Sequence, residues 1–314
     1  MVELPNLKLE AVFGCVPANT VDNLDLCTAL VGAAKAAAIV KSTGFPVRRV
    51  LEPGRTVLDL MLPAARRAME GVDPATVGGV VAVSFSSPAR FPALAARLQR
   101  ELGLPGDVAA LDLQLACAGY PYGLMAAGQL AVATGRRVLL VDGDMQSAHV
   151  DPADVNTLAV MSDAATATLV SAADGTPARF AFLTDGTGGE VLSCGADGRI
   201  RMDGFGVFRF VAGPVTSFLG EFLRGLPAAP ALFAPHQANM YMVRQMAKTL
   251  GLADALLTSG ERYANPGSCS VALTLAANPG CGGSVLLAGF GAGLAAAAAA
   301  LDMPGTCRRG VLEA

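Results

Sequence analysis

The chain has 314 residues, of which 53% are hydrophobic and 16% are charged, and its formal net charge is −3. This composition can bury a large core in one large domain or two ordinary ones, and the weak negative charge gives no basic surface for nucleic acid. The first ten residues, MVELPNLKLE, lack a basic region followed by an apolar run, so no signal peptide is predicted. The seven cysteines contain no CxxC pair, which indicates a reducing, cytoplasmic setting and argues against zinc or disulfides.

In the first half of the chain, short apolar runs alternate with segments of helical spacing. Helices are predicted over Thr56–Glu70, over Phe91–Leu102 and after Cys117. Strands that are apolar along their whole length are typical of a parallel sheet covered on both faces, and we therefore expect an α/β fold with such a sheet. The predicted strands are Leu7–Val16, Val77–Ser84, Ala109–Leu113, Arg137–Asp142 and one within Leu158–Ser171.

The second half repeats this organisation, because each half ends a strand in a turn that carries a reactive residue and then continues as a helix. We place the division near Ala172, which gives an N-terminal half of residues 1–171 and a C-terminal half of residues 172–314. The predicted strands are Ala231–Ala234 and Val285–Ala288, and the predicted helices are Phe208–Arg224, Met240–Leu250 and Cys269–Ala277.

The segment Ser284–Leu301 is uncharged and is about as long as a membrane-spanning helix needs to be. It contains the glycine-rich sequence GFGAG, and no second span or basic flank accompanies it, so a buried strand–turn–strand is predicted instead. Within it, Ala295–Ala300 is a run of six alanines that local propensity would make helical. We predict a β-strand there, because GFGAG leaves too little chain for another helical layer.

Cys117 is the first candidate for a reactive residue. It lies where a short apolar strand meets a helix that carries no charge from Ala116 to Val132. A helix that is apolar all round belongs to a core, so the thiol is expected to lie deep. The helix dipole and the free N–H groups of the first turn favour thiolate, the nucleophilic form, and we expect a lowered thiol pKa.

Two later turns supply side chains that complement this thiol. Pro235–Asn239 reads PHQAN and Tyr263–Ser270 reads YANPGSCS, so the three turns offer a thiol, an imidazole and a carboxamide. The other histidine, His149, is expected to be a solvated loop residue. The pair Arg48-Arg49 is expected to be a solvated basic end, with phosphate contact as the alternative.

With these motifs the chain resembles a thiolase-fold condensing enzyme and is most similar to β-ketoacyl-acyl-carrier-protein synthase III. The resemblance runs from about Lys41 to Leu301. It implies a thiolase-like α/β fold with two similar halves in five layers, αβαβα, and a tight homodimer. The motifs are STGFPVRR, RFPALAARLQRELGL, LQLACAGYPYGL, VLLVDGDMQSAHVDP, MDGFGVFRF, PHQANMYMVRQMAKTLGL, YANPGSCSVALTL and GFGAGL.

The resemblance implies catalytic roles for Cys117, His236 and Asn265. Cys117 would accept an acyl group from a thioester on coenzyme A or a carrier protein. The backbone N–H groups of Cys117 and Ala292 would form the oxyanion hole. His236 and Asn265 would stabilise the enolate left when a malonyl thioester loses carbon dioxide, in fatty-acid or secondary-metabolite biosynthesis. No metal or organic cofactor is implied, and Phe91 matches a residue that the family sends across the dimer into the partner's acyl pocket.

The chain also departs from the family's pattern. Members of the family stack the adenine of coenzyme A between a Trp and an Arg, but this chain has no Trp, and the aligned positions hold Ala38 and Ala148. A carrier-docking Arg after HQAN is replaced by Tyr241, while Arg244 and Lys248 follow on the same helix as candidate carrier or pantetheine contacts. These departures suggest a specialised member with a different donor.

Three other functions are compatible with parts of this pattern. An acyltransferase of the same fold, moving the acyl group to an alcohol or amine, would share the first half-reaction. A hydrolase is a remote alternative, because Cys, His and Asn also follow one another in papain-like proteases, but the sequence around a papain cysteine is absent. A catalytically quiet subunit of a heterodimer is disfavoured, because all three residues are present.

Overall fold

The computed structural model describes residues 1–5, 7–172 and 177–314. Its strands and helices follow the alternation predicted from the sequence. The strands are β1 Val2–Leu4, β2 Leu7–Val16, β3 Thr20–Asp22, β4 Val47–Arg49, β5 Val77–Val83, β6 Ala109–Leu113, β7 Arg137–Met145, β8 Asp163–Ala172, β9 Ala178–Thr184, β10 Leu192–Cys194, β11 Ile200–Met202, β12 Leu232–Pro235, β13 Gly283–Gly291, β14 Ala295–Met303 and β15 Arg308–Glu313.

The helices connect these strands and lie either between the two sheets or on their outer faces. They are α1 Asn23–Val31, α2 Ala33–Thr43, α3 Leu58–Ala68, α4 Leu94–Glu101, α5 Gly119–Thr134, α6 Val155–Leu158, α7 Gly204–Phe210, α8 Thr216–Arg224, α9 Met240–Thr249, α10 Gly260–Tyr263 and α11 Ser270–Ala277. A π-helical turn, Val211–Val215, joins α7 to α8.

Two large sheets form the centre of the molecule. One has the order β15-β2-β8-β7-β5-β6 and the other has the order β1-β9-β14-β13-β12. Each sheet takes one strand from the far end of the chain, since β1 joins the sheet built from the C-terminal half and β15 joins the other. The expected division near Ala172 falls at the end of β8, directly before residues that lie outside the described part of the chain.

The expectation of a parallel sheet was wrong, because both sheets are mixed. Only β15–β2, β5–β7 and β5–β6 are parallel in the six-stranded sheet, and only β12–β13 is parallel in the five-stranded sheet. The strands β13 and β14 are joined by the short turn 292–294, which permits only antiparallel pairing. Apolar runs show that a strand is covered on both faces, but they carry no information about its direction.

Five layers follow from the packing of side chains. Tyr120 and Leu124 of α5 and Val271 of α11 share one core with both sheets, so these two helices form the central layer. The helices α3 and α4 cover the outer face of the six-stranded sheet. The helices α8 and α9 cover the outer face of the other sheet. The order is therefore αβαβα, as the thiolase-like fold class requires.

The alanine run is a strand, as predicted. Ala295–Ala300 pairs with β13 on one side and with β9 on the other. Its residues alternate between two cores: Ala299 packs toward the central helices, while Ala296 and Ala298 pack toward the outer ones. Hydrogen bonding to two neighbouring strands and burial on both faces outweigh the intrinsic helix preference of alanine.

The helix predicted over Phe91–Leu102 begins at Leu94 instead. Its first N–H groups are capped from a neighbouring strand, because the carboxylate of Asp112 accepts hydrogen bonds from Leu94 N (2.6 Å) and Ala95 N (2.8 Å). Pro92 also restricts the residue before it to extended conformations.

In residues 1–5, 7–172 and 177–314, no helix has both the length and the apolar character needed to cross a membrane.

Candidate active site

Cys117 lies in a 3-10 turn, Ala116–Ala118, between the end of β6 and the start of α5. The cysteine is only 6% exposed. The GFGAG turn after β13 packs directly against it, since a Cβ added to Gly291 would lie 2.8 Å from Cys117 Cβ and 3.4 Å from its Sγ. Only glycine permits this close approach, which brings the turn containing Ala292 to the thiol.

The expectation of a lowered thiol pKa was wrong. Burial, followed by the charge of Asp144, raises the pKa of Cys117 to about 12, against the lowering effect of a backbone hydrogen bond. The loss of hydration on burial therefore outweighs the favourable position beside a helix N-terminus. The resting side chain is a protonated thiol, so Cys117 must lose that proton when its sulfur acts as a nucleophile.

His236 follows the end of β12 and is 1% exposed. Its backbone N–H donates to Ala288 O at 2.7 Å, which fixes the turn against β13. Burial lowers the pKa of the imidazole to about 3, against a smaller raising effect from the backbone of Gly267. The ring is therefore neutral at physiological pH and can donate from one nitrogen only.

Hydrogen bonding identifies which nitrogen carries the proton. His236 Nδ1 lies 2.6 Å from Ser270 Oγ, and Ser270 Oγ accepts the backbone N–H of Gln237 at 3.3 Å. Among the described residues, the proton of this hydroxyl has no acceptor other than His236 Nδ1, and we infer that the hydroxyl donates to Nδ1. This assigns the proton of the neutral ring to Nε2. Sequence analysis missed Ser270, although it stands in the same motif as Asn265.

Asn265 is 5% exposed and is held from four directions. Its Oδ1 accepts the Gly267 N–H at 2.9 Å, so the amide is oriented with Nδ2 free to donate. Its backbone N–H donates to Val160 O at 3.1 Å. Its carbonyl accepts Gln146 Nε2 at 2.6 Å and Ser162 N at 3.0 Å. Gln146, a second residue missed from the sequence, therefore anchors the asparagine turn.

Two cavities meet at the cysteine. The larger, of about 350 Å³, has a mostly apolar wall that includes Phe85, Leu115 and Ile200 as well as Ala292. The smaller, of about 120 Å³, is lined by His236 and Asn265 together with residues of α7 and α9. Cys117, Met161 and Leu192 line both cavities. One thiol is thus reached from two sides, one side apolar and the other equipped with the imidazole and the carboxamide.

The other candidate residues lie outside this centre. Phe91 is 85% exposed and lines neither cavity of its own chain. Arg244 and Lys248 are exposed on α9, where Arg244 forms an ion pair with Glu261. Tyr241, at the start of the same helix, is 56% exposed. Ala38 and Ala148 are both exposed.

Two expectations of solvated basic residues were wrong. Arg48 is buried and donates to Met161 O at 3.2 Å, and Arg49 donates to Pro17 O at 2.9 Å and pairs with Glu313. Both arginines tie β4 to neighbouring segments. His149 is half-buried, with its Nδ1 2.8 Å from Gly198 O and its ring 5.2 Å from that of Phe85. A basic pair after a turn gives no signal that distinguishes such internal anchors from surface charge.

Comparison with known proteins gives a consistent result. The sequence profiles for 3-oxoacyl-[acyl-carrier-protein] synthase III and for its C-terminal part match residues 111–189 and 227–303. The chain is 33% identical over 255 residues to β-ketoacyl-[acyl-carrier-protein] synthase III of Sphingopyxis alaskensis, covering 76% of this chain and 79% of that one.

Solved structures agree over nearly the whole length. A 3-oxoacyl-(acyl-carrier protein) synthase from Burkholderia xenovorans LB400 matches with a TM-score of 0.95 and 28% identity, over 100% of this chain and 98% of that chain. The priming β-ketosynthase of the R1128 polyketide pathway matches with a TM-score of 0.88 and 29% identity, over 97% and 98%. The chain therefore belongs to the β-ketoacyl-acyl-carrier-protein synthase III family of condensing enzymes.

Proposed function

We propose that the protein catalyses decarboxylative condensation of an acyl group, carried on Cys117, with a malonyl thioester. The observation that carries this proposal is the meeting of two cavities at one buried thiol. The apolar cavity suits an acyl chain. The narrower cavity, with His236 and Asn265 in its wall, suits the arm of a thioester and its enolate. Membership of the family supports the same reaction in fatty-acid or polyketide biosynthesis.

The first half-reaction is acyl transfer. Cys117 Sγ attacks the carbonyl carbon of the donor, the C–S bond of the donor breaks, and the thiol proton ends on the released thiol. The negative oxygen of the tetrahedral intermediate needs N–H donors fixed in advance. We assign this role to the backbone N–H groups of Cys117 and Ala292, because the close contact at Gly291 brings the two turns together.

The second half-reaction forms the new carbon–carbon bond. His236 Nε2–H and Asn265 Nδ2–H donate to the thioester oxygen of the malonyl group while carbon dioxide leaves. The resulting carbanion attacks the acyl carbon on Cys117, and the thioester to the enzyme breaks. The β-ketoacyl thioester departs, and the Cys117 thiolate takes up one proton from water to regenerate the thiol. A neutral imidazole serves here as a donor whose position is already fixed, so it can stabilise the developing negative charge without rearrangement.

The protein would work with a carrier protein or coenzyme A as donor and with malonyl-acyl-carrier-protein as acceptor. We propose Arg244 and Lys248 as the carrier or pantetheine contacts, because both are exposed on α9, whose Met242 lines the narrower cavity. None of the seven cysteines is in a disulfide, which supports a cytoplasmic location. The halves 1–171 and 172–314 would be the two thiolase-like units.

A homodimer is part of the proposal. β6 is the last strand of the six-stranded sheet. Its outer edge pairs with no other strand in the described part of the chain, so it is available for pairing with a second copy. Unpaired edge strands are a common site of chain association. Phe91 lies just before α4, which packs on β6, and its exposure suits insertion into the acyl cavity of a partner.

The test is intact-mass analysis with a set of acyl thioesters, followed by addition of a malonyl thioester. We expect one acyl adduct, mapped by peptide mass to Cys117, and a β-ketoacyl product with release of carbon dioxide. Cys117→Ala should give neither. An adduct on Cys194 or Cys269, with Cys117 free, would contradict the assignment. Loading followed by transfer to an alcohol or amine, with malonyl thioester unused, would establish the alternative acyltransferase.

A further inference from the structure

Two carboxyl groups lie inside the protein behind the candidate active site, and the reaction described above does not use them. Asp142 and Asp144 are alternate residues of β7 and point to the same side of the strand. Ser268, three residues after Asn265, lies between them. All three side chains are 0% exposed. Two acids within an otherwise apolar strand are visible in the sequence, but sequence analysis assigned them no role.

The number of available protons is too small for both acids to be ionised. Ser268 Oγ is hydrogen-bonded to Asp142 Oδ1 and also lies 3.2 Å from Asp144 Oδ2. A hydroxyl group has one proton and can donate to only one of these oxygens. The other contact must be made by a carboxyl proton, because two unprotonated oxygens at this distance would repel each other. One of the two acids is therefore protonated.

Asp144 is surrounded as an ionised carboxylate would be. Its Oδ1 accepts hydrogen bonds from Ser84 Oγ (2.8 Å), Phe85 N (2.8 Å), Ser86 N (3.1 Å) and Ser86 Oγ (3.1 Å). Four donors on one oxygen stabilise negative charge, as water would. Burial nonetheless raises the pKa of Asp144 to about 6, against the lowering effect of these donors.

Asp142 has the opposite environment. Its Oδ2 is buried and has no hydrogen-bond partner among the described residues. An ionised carboxylate with a bare oxygen in the interior is strongly unfavourable, whereas a neutral acid leaves only a carbonyl oxygen there. Burial raises the pKa of Asp142 well above its ordinary range, Ser268 opposes this, and the charge of Asp144 adds to it.

We propose that Asp142 is a neutral carboxylic acid that donates its proton to Ser268, which lets Ser268 donate in turn to ionised Asp144. Asp142 Oδ1–H, Ser268 Oγ–H and Asp144 Oδ2 then form one directed chain in which every proton has an acceptor. No proton leaves the chain during turnover. Asp142 and Ser268 are positioning residues, because they contact neither the substrate nor the reacting atoms.

This series of hydrogen bonds fixes two parts of the site relative to each other. Ser268 continues the turn in which the Gly267 N–H orients Asn265, so it fixes the carboxamide from behind. Asp144 holds the backbone of Phe85, which lines the larger cavity. A neutral Asp142 also limits the negative charge near the Cys117 thiol to one carboxylate. The positioning role of these residues rests on the function proposed above, but the protonation state of Asp142 does not.

Infrared spectroscopy of the resting enzyme tests the protonation state without any substrate. Between about pH 8 and about pH 9, exposed carboxyl groups are ionised, and so is Asp144, whose pKa burial raises to about 6, so a C=O stretch of a carboxylic acid reports another buried acid. We expect this band in the wild type throughout the range and expect its loss in Asp142→Asn. The other titratable groups around Asp142 are Asp144, Cys117, Cys269 and Tyr120, and none of these carries a positive charge.

A matched control removes a different buried acid. Asp163 accepts hydrogen bonds from Leu51 N (2.8 Å) and Ser147 N (2.8 Å); burial raises the pKa of its carboxyl, and these donors and the charge of Arg48 oppose that rise. Asp163→Asn should leave the band unchanged. A wild-type spectrum without the band, or a band that persists in Asp142→Asn, overturns the proposal. If Asp142→Asn does not fold, the wild-type spectrum over the pH range still decides the question.

Activity gives a second measurement. Asp142→Asn replaces a neutral acid with a neutral amide that can also donate to Ser268, so kcat should change less than about threefold. Ser268→Ala removes the hydroxyl behind Asn265 and should slow condensation on the order of tenfold or more. Acylation of Cys117 should keep its normal rate, because Asp144 Oδ1 still accepts from Phe85 N. Equal losses in both half-reactions would overturn the positioning role. A wild type with the infrared band but no condensation would refute only the proposed function.

Discussion

His236 Nδ1 lies 2.6 Å from the hydroxyl oxygen of Ser270, and this contact decides what the histidine can do. The hydroxyl accepts from the Gln237 N–H and donates to Nδ1, which leaves the ring proton on Nε2. The histidine is therefore a hydrogen-bond donor in the resting protein, and its second nitrogen is already occupied.

Removal of the Ser270 hydroxyl should leave the tautomer of His236 no longer fixed. In Ser270→Ala the proton can lie on either nitrogen, so we expect condensation to slow by about tenfold while acylation of Cys117 is unchanged. Ser259→Ala is a matched control, because this buried hydroxyl bonds to Thr274 Oγ1 at 2.7 Å on the same helix, α11. Similar thermal stability of the two variants, with slow condensation only in Ser270→Ala, is the expected pattern. Unchanged condensation would refute the assignment of the tautomer.

His236→Ala and Asn265→Ala should each keep acyl transfer to Cys117 but lose decarboxylation of a malonyl thioester. Each removes one donor to the enolate oxygen, and such a loss costs on the order of 10²–10³-fold in rate. Single-turnover measurements of acyl-enzyme formation and of carbon dioxide release separate the two steps. Condensation near the wild-type rate in either variant would show that the residue has another role.

The buried histidine should make the protein sensitive to acid. The pKa of His236 is about 3 in the folded protein and about 6.5 in an unfolded chain, so unfolding takes up a proton below about pH 6.5. This contribution to stability is present above pH 6.5 and is lost as the pH falls toward 3. Between about pH 7 and about pH 5 it amounts to about 2 kcal/mol.

Urea unfolding at these two pH values measures the effect, at a fixed protein concentration. His236→Gln should lose less free energy of unfolding between the two pH values than the wild type, by about that amount. His149→Gln, which replaces the other histidine, is the control for the substitution itself. The raised pKa of Asp144 acts in the opposite direction, but it is common to all three proteins and cancels in the comparison. Identical slopes for His236→Gln and wild type would contradict the burial effect.

The donor should be carried on a protein. Neither Ala38 nor Ala148 offers a flat partner for adenine. Stacking of adenine against an aromatic ring and a cation contributes about 1–3 kcal/mol, so acyl-coenzyme A should bind about tenfold or more weakly here than at a site that has both groups. The same acyl chain should load Cys117 faster from a carrier protein in a single-turnover assay. Lys248→Glu should slow only the carrier reaction. Equal or faster loading from coenzyme A would mean that other residues supply the nucleotide site.

The sequence by itself determined the local elements and the candidates for the reactive side chains. The strand β2, the strand β5 and the alanine strand β14 follow from apolar patterning and from the glycine turn before the alanines. Three turns carrying Cys117, His236 and Asn265 stand out because each combines a candidate reactive side chain with nearby glycine or proline. Such signals are local, so they can be read without knowing which elements pack together.

Only the tertiary structure decided properties that depend on neighbours distant in sequence. Strand direction in the two sheets, the cap that Asp112 gives to α4, and the burial of Arg48 all depend on segments far away along the chain. The same is true of the thiol. A helix N-terminus favours thiolate locally, but dehydration and the charge of Asp144 on β7 raise the pKa of Cys117 to about 12. Electrostatic free energies in an interior are set by what surrounds a group in space, which the order of residues does not specify.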